Sequence, residues 1–199
     1  MPSALTLNDI ADLREYERER EDFRRRIITL KEIRRVNLGP IISMTFENRE
    51  TIRFQIQEMA RAEKMSTDAQ IQEELEVYNP LIPGPGQLSA TLFLELTSKD
   101  QLMEWLPKLV GIEQSLEVVI YTPEGDIEVP CQVEEAHKEQ LTRPDVTASV
   151  HYIRFNLPAD AAAAMRRAKR VEIRSTHHRY PYAAELSAET IASLVADWE

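Results

Sequence analysis

Amides and carboxylates around a single apolar residue recur as Gln55-Ile56-Gln57-Glu58 and Gln70-Ile71-Gln72-Glu73. On neighbouring helices such groups can form a paired polar surface or a shared buried network, the amides donating and accepting and the carboxylates accepting. Glu74, Tyr78 and Asn79 extend the second segment towards residues 79–86, rich in proline and glycine. The candidate binding positions here are Gln57, Glu58, Glu73, Glu74, Tyr78 and Asn79. A second concentration is His177-His178-Arg179-Tyr180-Pro181-Tyr182. It puts imidazole, guanidinium and phenol groups on one loop after a strand, where binding residues often sit, and makes His177, His178 and Tyr180 candidates. Adjacent histidines are not a metal signature. A zinc or iron site would need His151 or a carboxylate to reach the same point. No motif assigns a catalytic residue, a metal or a cofactor.

Familiar catalytic patterns are missing from the sequence. There is no Gly-x-Gly-x-x-Gly and no phosphate loop ending in Gly-Lys-Ser/Thr, and five glycines in 199 residues argue against a backbone cradle for a nucleotide. Di-iron bundles use Glu-x-x-His on two helices, whereas all four histidines lie beyond residue 136 without that spacing. One cysteine, Cys131, excludes an internal disulfide and a multi-cysteine zinc or iron–sulfur site within the chain. It alternates with Ile127, Val129 and Val133, which predicts a buried, inert thiol, and Pro130 in the same strand predicts a sheet edge. His137, in the charged run 134–139, reads as solvated. His151 shares a strand face with Ile153 and Phe155 and reads as a hydrogen-bonded core histidine.

Charge narrows the partners. Residues 1–65 hold 13 Lys/Arg against 12 Asp/Glu, a balance of +1, and residues 66–199 hold 11 against 22, a balance of −11, which together make the net −10. That balance disfavours nucleic acid and anionic membrane. Between Arg14 and Arg35 nine basic side chains mix with six acidic ones, the pattern of a solvated helix laced with ion pairs. No apolar stretch is long enough to cross a bilayer, and the first eight residues lack the character of a secretory signal, so a cytoplasmic location is expected.

The elements that must position these groups follow from periodicity. Asn8 is expected to cap a first helix whose stripe Leu13, Tyr16, Phe23, Ile27 and Leu30 calls for an apolar partner. Arg20 and Arg34 fall on the same stripe, so the helix either breaks near residue 20 or carries those guanidinium groups to its edge. Gly39-Pro40 is expected to end it. A short strand over 41–46 precedes a helix capped by Asn48 with Ile52, Ile56, Met59 and Ala60 on its apolar face. A further helix, capped by Ser66, shows Ile71, Leu75 and Tyr78 and stops at Asn79-Pro80. The segment 79–86 reads as a stiff linker, although the apolar pair Leu81-Ile82 suggests that it packs onto something, such as a second subunit.

After it come strand 89–96, helix 100–110 capped by Ser98, strands 116–122 and 127–134 joined by Pro123-Glu124-Gly125-Asp126, and strand 147–157. Helix 159–169 begun by Pro158, strand 170–175 and a last helix capped by Ser187 complete the chain. The expected class is α+β: a helical portion over 1–86, then a mixed, partly antiparallel sheet with covering helices over 87–199, either as two portions or as one continuous domain.

Several of these segments resemble a known family. Gln55-Ile56-Gln57-Glu58-Met59, Ile71-Gln72-Glu73-Glu74-Leu75 and Tyr78-Asn79-Pro80-Leu81-Ile82-Pro83 are similar to the uncharacterised bacterial family called domain of unknown function 3501. Asn37-Leu38-Gly39-Pro40, Gly111-Ile112-Glu113, His151-Tyr152-Ile153-Arg154-Phe155 and the His/Tyr loop extend the resemblance over nearly the whole chain. One departure is His177-His178-Arg179-Tyr180-Pro181, where the family tends to carry His-Pro before the tyrosine. The resemblance implies a genomic setting beside rubrerythrin-like di-iron proteins and an iron–sulfur oxidoreductase, hence partners in peroxide or electron-transfer chemistry. Two functions are expected from the residues and the resemblance together, the first favoured by the absence of a catalytic set. The first is a non-catalytic accessory or interaction protein that binds such a redox partner or a second copy of the chain. The second is a metal- or small-molecule-binding enzyme that combines the Gln/Glu helices with the His177 to Tyr180 loop.

Overall fold

The computed structural model describes residues 4–133 and 145–199. His137 lies outside the described residues. In chain order the elements are α1 (Leu13–Arg34), β1 (Arg35–Leu38), β2 (Ile42–Glu47), α2 (Arg49–Ala62), α3 (Asp68–Tyr78), β3 (Gln87–Leu94), α4 (Lys99–Lys108), β4 (Leu116–Ile120), β5 (Ile127–Val133), β6 (Val150–Asn156), α5 (Ala159–Met165), β7 (Val171–Ser175), β8 (Ala183–Glu185) and α6 (Ala188–Ala196). The class is mixed α and β, with all eight strands in one antiparallel sheet of order β1-β2-β3-β6-β5-β4-β7-β8. Its two ends, β1 and β8, come alongside each other, so the sheet curls nearly into a barrel. Strands from both sides of residue 86 thus belong to one sheet. The N-terminal helical portion is interrupted by the β1–β2 hairpin.

Alternation along each strand gives the barrel an apolar inside. Ile42, Met44 and Phe46 of β2, Leu88, Ala90 and Leu92 of β3, Ile153 and Phe155 of β6, and Val118 and Ile120 of β4 form one buried core, which Met165 of α5 and Ile191, Leu194 and Trp198 complete. The outer face of β2, β3 and β6 is different. It is polar except for Phe93 and Val150, and β2 is nevertheless buried along its whole length because α1, α2 and α3 lie over it.

Several boundaries differ from the periodicity reading for local reasons. Asp12, not Asn8, caps α1 by accepting the Glu15 amide, because residues 7–9 are already wound into a 3₁₀ turn closed by Thr6 and Asp9. Helix α1 ends at Arg34 rather than at Gly39-Pro40. Residues 35–38 pair with β2 instead, and Gly39, at φ +69°, makes the hairpin turn. Thr67, one residue after Ser66, caps α3. Pro130 does not mark a sheet edge. It stands where β5 changes partner, opposite Glu117 of β4, with the β6 ladder starting at Cys131, so the missing N–H falls at a break between ladders. Leu81 is buried with Leu75, Tyr78 and Ile56, so residues 79–86 pack within the chain. Among the described residues no helix is long and apolar enough to cross a membrane.

Candidate functional site

The two Gln-Ile-Gln-Glu segments do different work. In the first, Ile56 is core, and Gln57 is fully buried with its amide clamping one residue of the N-terminal segment: its Oε1 accepts the Ala11 N–H at 3.1 Å and its Nε2 donates to the Ala11 carbonyl at 2.9 Å. Asn79 clamps Leu5 in the same way, at 2.8 and 2.9 Å. Arg53 donates to the Asp9 carbonyl and Arg49 bonds the Asp9 carboxylate, so residues 5–11 are strapped across α2 and α3. Glu58 accepts the Tyr16 hydroxyl at 2.6 Å and both arms of the Arg20 guanidinium at 2.8 and 2.9 Å. Its carboxyl is held below the usual range, chiefly by the Arg20 bonds, while burial lifts the Tyr16 phenol. The stripe of α1 is therefore unbroken at Arg20, and its Tyr16, Phe23 and Ile27 find their partner within the chain, with Phe54 of α2 edge-on to Phe23.

In the second segment Gln70 serves the capping box of α3, whereas Gln72 and Glu73 are exposed. Glu74 is half-buried. Its carboxyl is raised by burial first and then by repulsion from Glu63 and Glu73.

The His/Tyr loop is a structural clamp on the other side of the barrel. Tyr180 is fully buried, its hydroxyl donating to the Leu38 carbonyl at 2.7 Å and accepting the Ile41 and Ile42 amides at 3.1 and 3.2 Å, which ties β1 and β2 to the β7–β8 connection. A Cβ on Gly39 would stand 2.7 Å from the Tyr182 ring. Buried His177 has both nitrogens engaged, Nε2 with the Val110 carbonyl at 3.2 Å and Nδ1 with the Arg179 amide at 3.3 Å. His178 is exposed. His151 lies inside the barrel, bonded to Thr147 and to the Ala148 carbonyl, its pKa lowered by burial. Cys131 is buried, donates its thiol to the Glu113 carbonyl, and has its pKa pushed up to about 11 by burial. Gln57, Glu73 and His177 are thus committed to separate places. Among the described residues no three His, Cys, Asp or Glu side chains converge as metal ligands.

What the structure does bring together is the polar outer face of the sheet beneath the helices. Register sets Thr45, Thr91 and Tyr152 in one row across β2, β3 and β6, with Glu47, Ser89 and Arg154 in the next. Helices α1, α2 and α3 cover this grid and leave a chamber of about 130 Å³, lined by Lys31, Glu47, Ile52, Gln55, Tyr78, Leu81, Thr91, Phe93, Val150 and Tyr152. The Glu47 carboxylate is buried, with one hydroxyl donor on each oxygen: Thr91 at 2.6 Å and Thr51 at 2.5 Å. Among the described residues no cationic side chain pairs with it within 4.0 Å. Tyr152 packs against the cluster that holds Tyr78, and Gln55 lines the chamber beside them. The Tyr152 phenol is pushed up to about 12, by burial first and then by Tyr78 and the Glu47 charge. Burial likewise raises Tyr78. Both are therefore neutral donors and acceptors at ordinary pH.

Only Tyr78 of the sequence candidates lines this chamber. The signal for the rest was present in Ser43-x-Thr45-x-Glu47 and Ser89-x-Thr91, polar residues alternating along strands, a pattern that ordinarily means solvent.

A family model described as protein of unknown function (DUF3501) matches residues 4–198. No curated protein matches the chain. A solved structure of similar form is the crystal structure of a novel protein of unknown function from Burkholderia pseudomallei K96243, 32% identical, with a TM-score of 0.86 over 99% of this chain and 100% of that one.

Proposed function

We propose, from the premise that this chain belongs to the DUF3501 family of proteins of unknown function, that it binds a small organic molecule in the chamber between the sheet and α1–α3. The observation that carries the reading is Glu47. A carboxylate removed from water costs several kcal/mol unless its remaining acceptor sites are filled, and two hydroxyls fill about half of them. A ligand donor supplies the rest. Gln55, Tyr78, Tyr152 and Thr91 surround the same space with further donors and acceptors, while Ile52, Leu81, Phe93 and Val150 supply apolar walls, the mixture typical of small-molecule pockets. An accessory role beside redox proteins has less behind it, since the α1 stripe and Leu81, expected to seat a partner, are covered within the chain.

The test is a thermal-shift screen of small polar metabolites followed by calorimetry on wild type and Glu47→Gln. Losing one hydrogen bond to a charged group costs about 1.5–3 kcal/mol, so the variant should bind roughly tenfold to hundredfold more weakly with its circular dichroism unchanged. Ligands that bind both proteins equally would place the site elsewhere.

A further inference from the structure

Resting on the chamber reading, we infer that the ligand is a small zwitterion of the amino-acid type, its ammonium group taken by Glu47 and its carboxylate by Lys31. Both residues line the same cavity. Arg20, Arg34, Arg49, Arg53 and Arg61 of this helical layer each meet a carboxylate, whereas Lys31 lines the cavity without one. Lys31 stands 6.0 Å from the centre of the Phe54 ring, and among the described residues it has no ion-pair partner within 4.0 Å. Glu47 has none either. One chamber therefore holds a positive and a negative group too far apart to satisfy each other.

That arrangement selects against simple ions. A cation beside Glu47 shares the chamber with Lys31, and an anion beside Lys31 shares it with the Glu47 charge, so each gains one attraction and meets one repulsion. A molecule with both charges gains two attractions. Depth sets its orientation: Glu47 and Thr91 are buried, whereas Lys31, Gln55 and Tyr152 are partly exposed, so the ammonium end enters first. The Tyr152 ring, near enough to feel the Glu47 charge, suits an ammonium group as well. Size is limited too. A chamber of about 130 Å³ has the room of about four waters, which admits an amino acid with a short side chain and little more.

Calorimetry and thermal shift on the full chain test this with glycine, L-alanine, L-serine, β-alanine and γ-aminobutyrate, each step controlled by alaninol, which lacks the carboxylate, and L-lactate, which lacks the amine. At least one amino acid should bind about tenfold or more tightly than both controls. In Lys31→Met that preference over alaninol should vanish while amine binding persists, and Glu47→Gln should lose both. Wild type that binds alaninol as well as alanine, a Lys31→Met protein that keeps the preference, or Glu47-dependent binding of uncharged molecules alone would each overturn the zwitterion and leave the chamber standing. No binding by any compound, including the wider screen, would remove both.

Discussion

Replacing Arg34 by methionine should cost about 4 kcal/mol of stability, because it breaks a buried ion pair while leaving its partner in place. The side chain is 1% exposed and makes five hydrogen bonds: Nε to the Phe46 carbonyl at 2.8 Å, Nη2 to the Glu47 carbonyl at 3.0 Å and to the Asp197 carboxylate, and Nη1 to the Ser193 carbonyl at 3.1 Å and hydroxyl at 3.0 Å. It thereby joins the end of α1, the end of β2 and the last turn of α6, three elements far apart in sequence. Methionine matches the length of the stem but strands three carbonyls and the Asp197 charge, which keeps only Asn48 Nδ2 at 3.1 Å. For a domain of this size each kcal/mol shifts Tm by about 2–4 °C, so a fall of about 8–16 °C is expected. Urea unfolding of wild type, Arg34→Met, Asp197→Asn and the double variant measures it. In the methionine background Asp197→Asn should recover about 1–2 kcal/mol, since the unpaired charge is gone. An Arg34→Met protein within about 1 kcal/mol of wild type, or a double variant that is simply the sum of the singles, would refute the assignment of Arg34 as the electrostatic tie between these elements.

Other outcomes follow from the same contacts. Tyr180→Phe leaves the Leu38 carbonyl and the Ile41 and Ile42 amides without their buried partner and should cost about 2 kcal/mol by urea unfolding; a neutral effect would mean that the loop does not hold the hairpin. The Asp9 carboxyl is lowered to about 2 from 3.8, chiefly by its bond to Arg49. A folded-state pKa below the unfolded one means that this anchor is complete above about pH 4 and is lost as pH falls through about 2. Hydrogen exchange corrected for intrinsic rates should accordingly show the Leu5 and Ala11 amides losing protection across that window before those of β3 do, and protection that stays flat from pH 4 to 2 would count against the strap.

The local signals in the chain were sufficient for most single elements. Asn48, Ser98 and Ser187 cap the helices expected of them, and the Tyr16, Phe23, Ile27 stripe is buried as its spacing requires, because capping and 3.6-residue periodicity act within a few residues. What escaped were β1 and β8, four and three residues long, whose strand character comes from pairing with β2 and β7 rather than from their own composition. Those two strands bring the ends of the sheet together, so its near closure was not legible either.

Composition and spacing by themselves determined an α+β protein with a buried thiol and no familiar catalytic motif; they pointed to a mixed, partly antiparallel sheet, whereas every pairing in the structure is antiparallel. Tertiary structure alone decided which polar groups are taken up by partners and which line the chamber. A side chain's chemistry is set by what lies across from it: Gln57, Glu58 and Asn79 are consumed as clamps on the N-terminal strap and α1, and His177 and Tyr180 on the barrel wall. Glu47, ordinary in a strand that alternates polar and apolar residues, becomes the exposed end of nothing, because three helices close over it and leave a chamber instead of solvent.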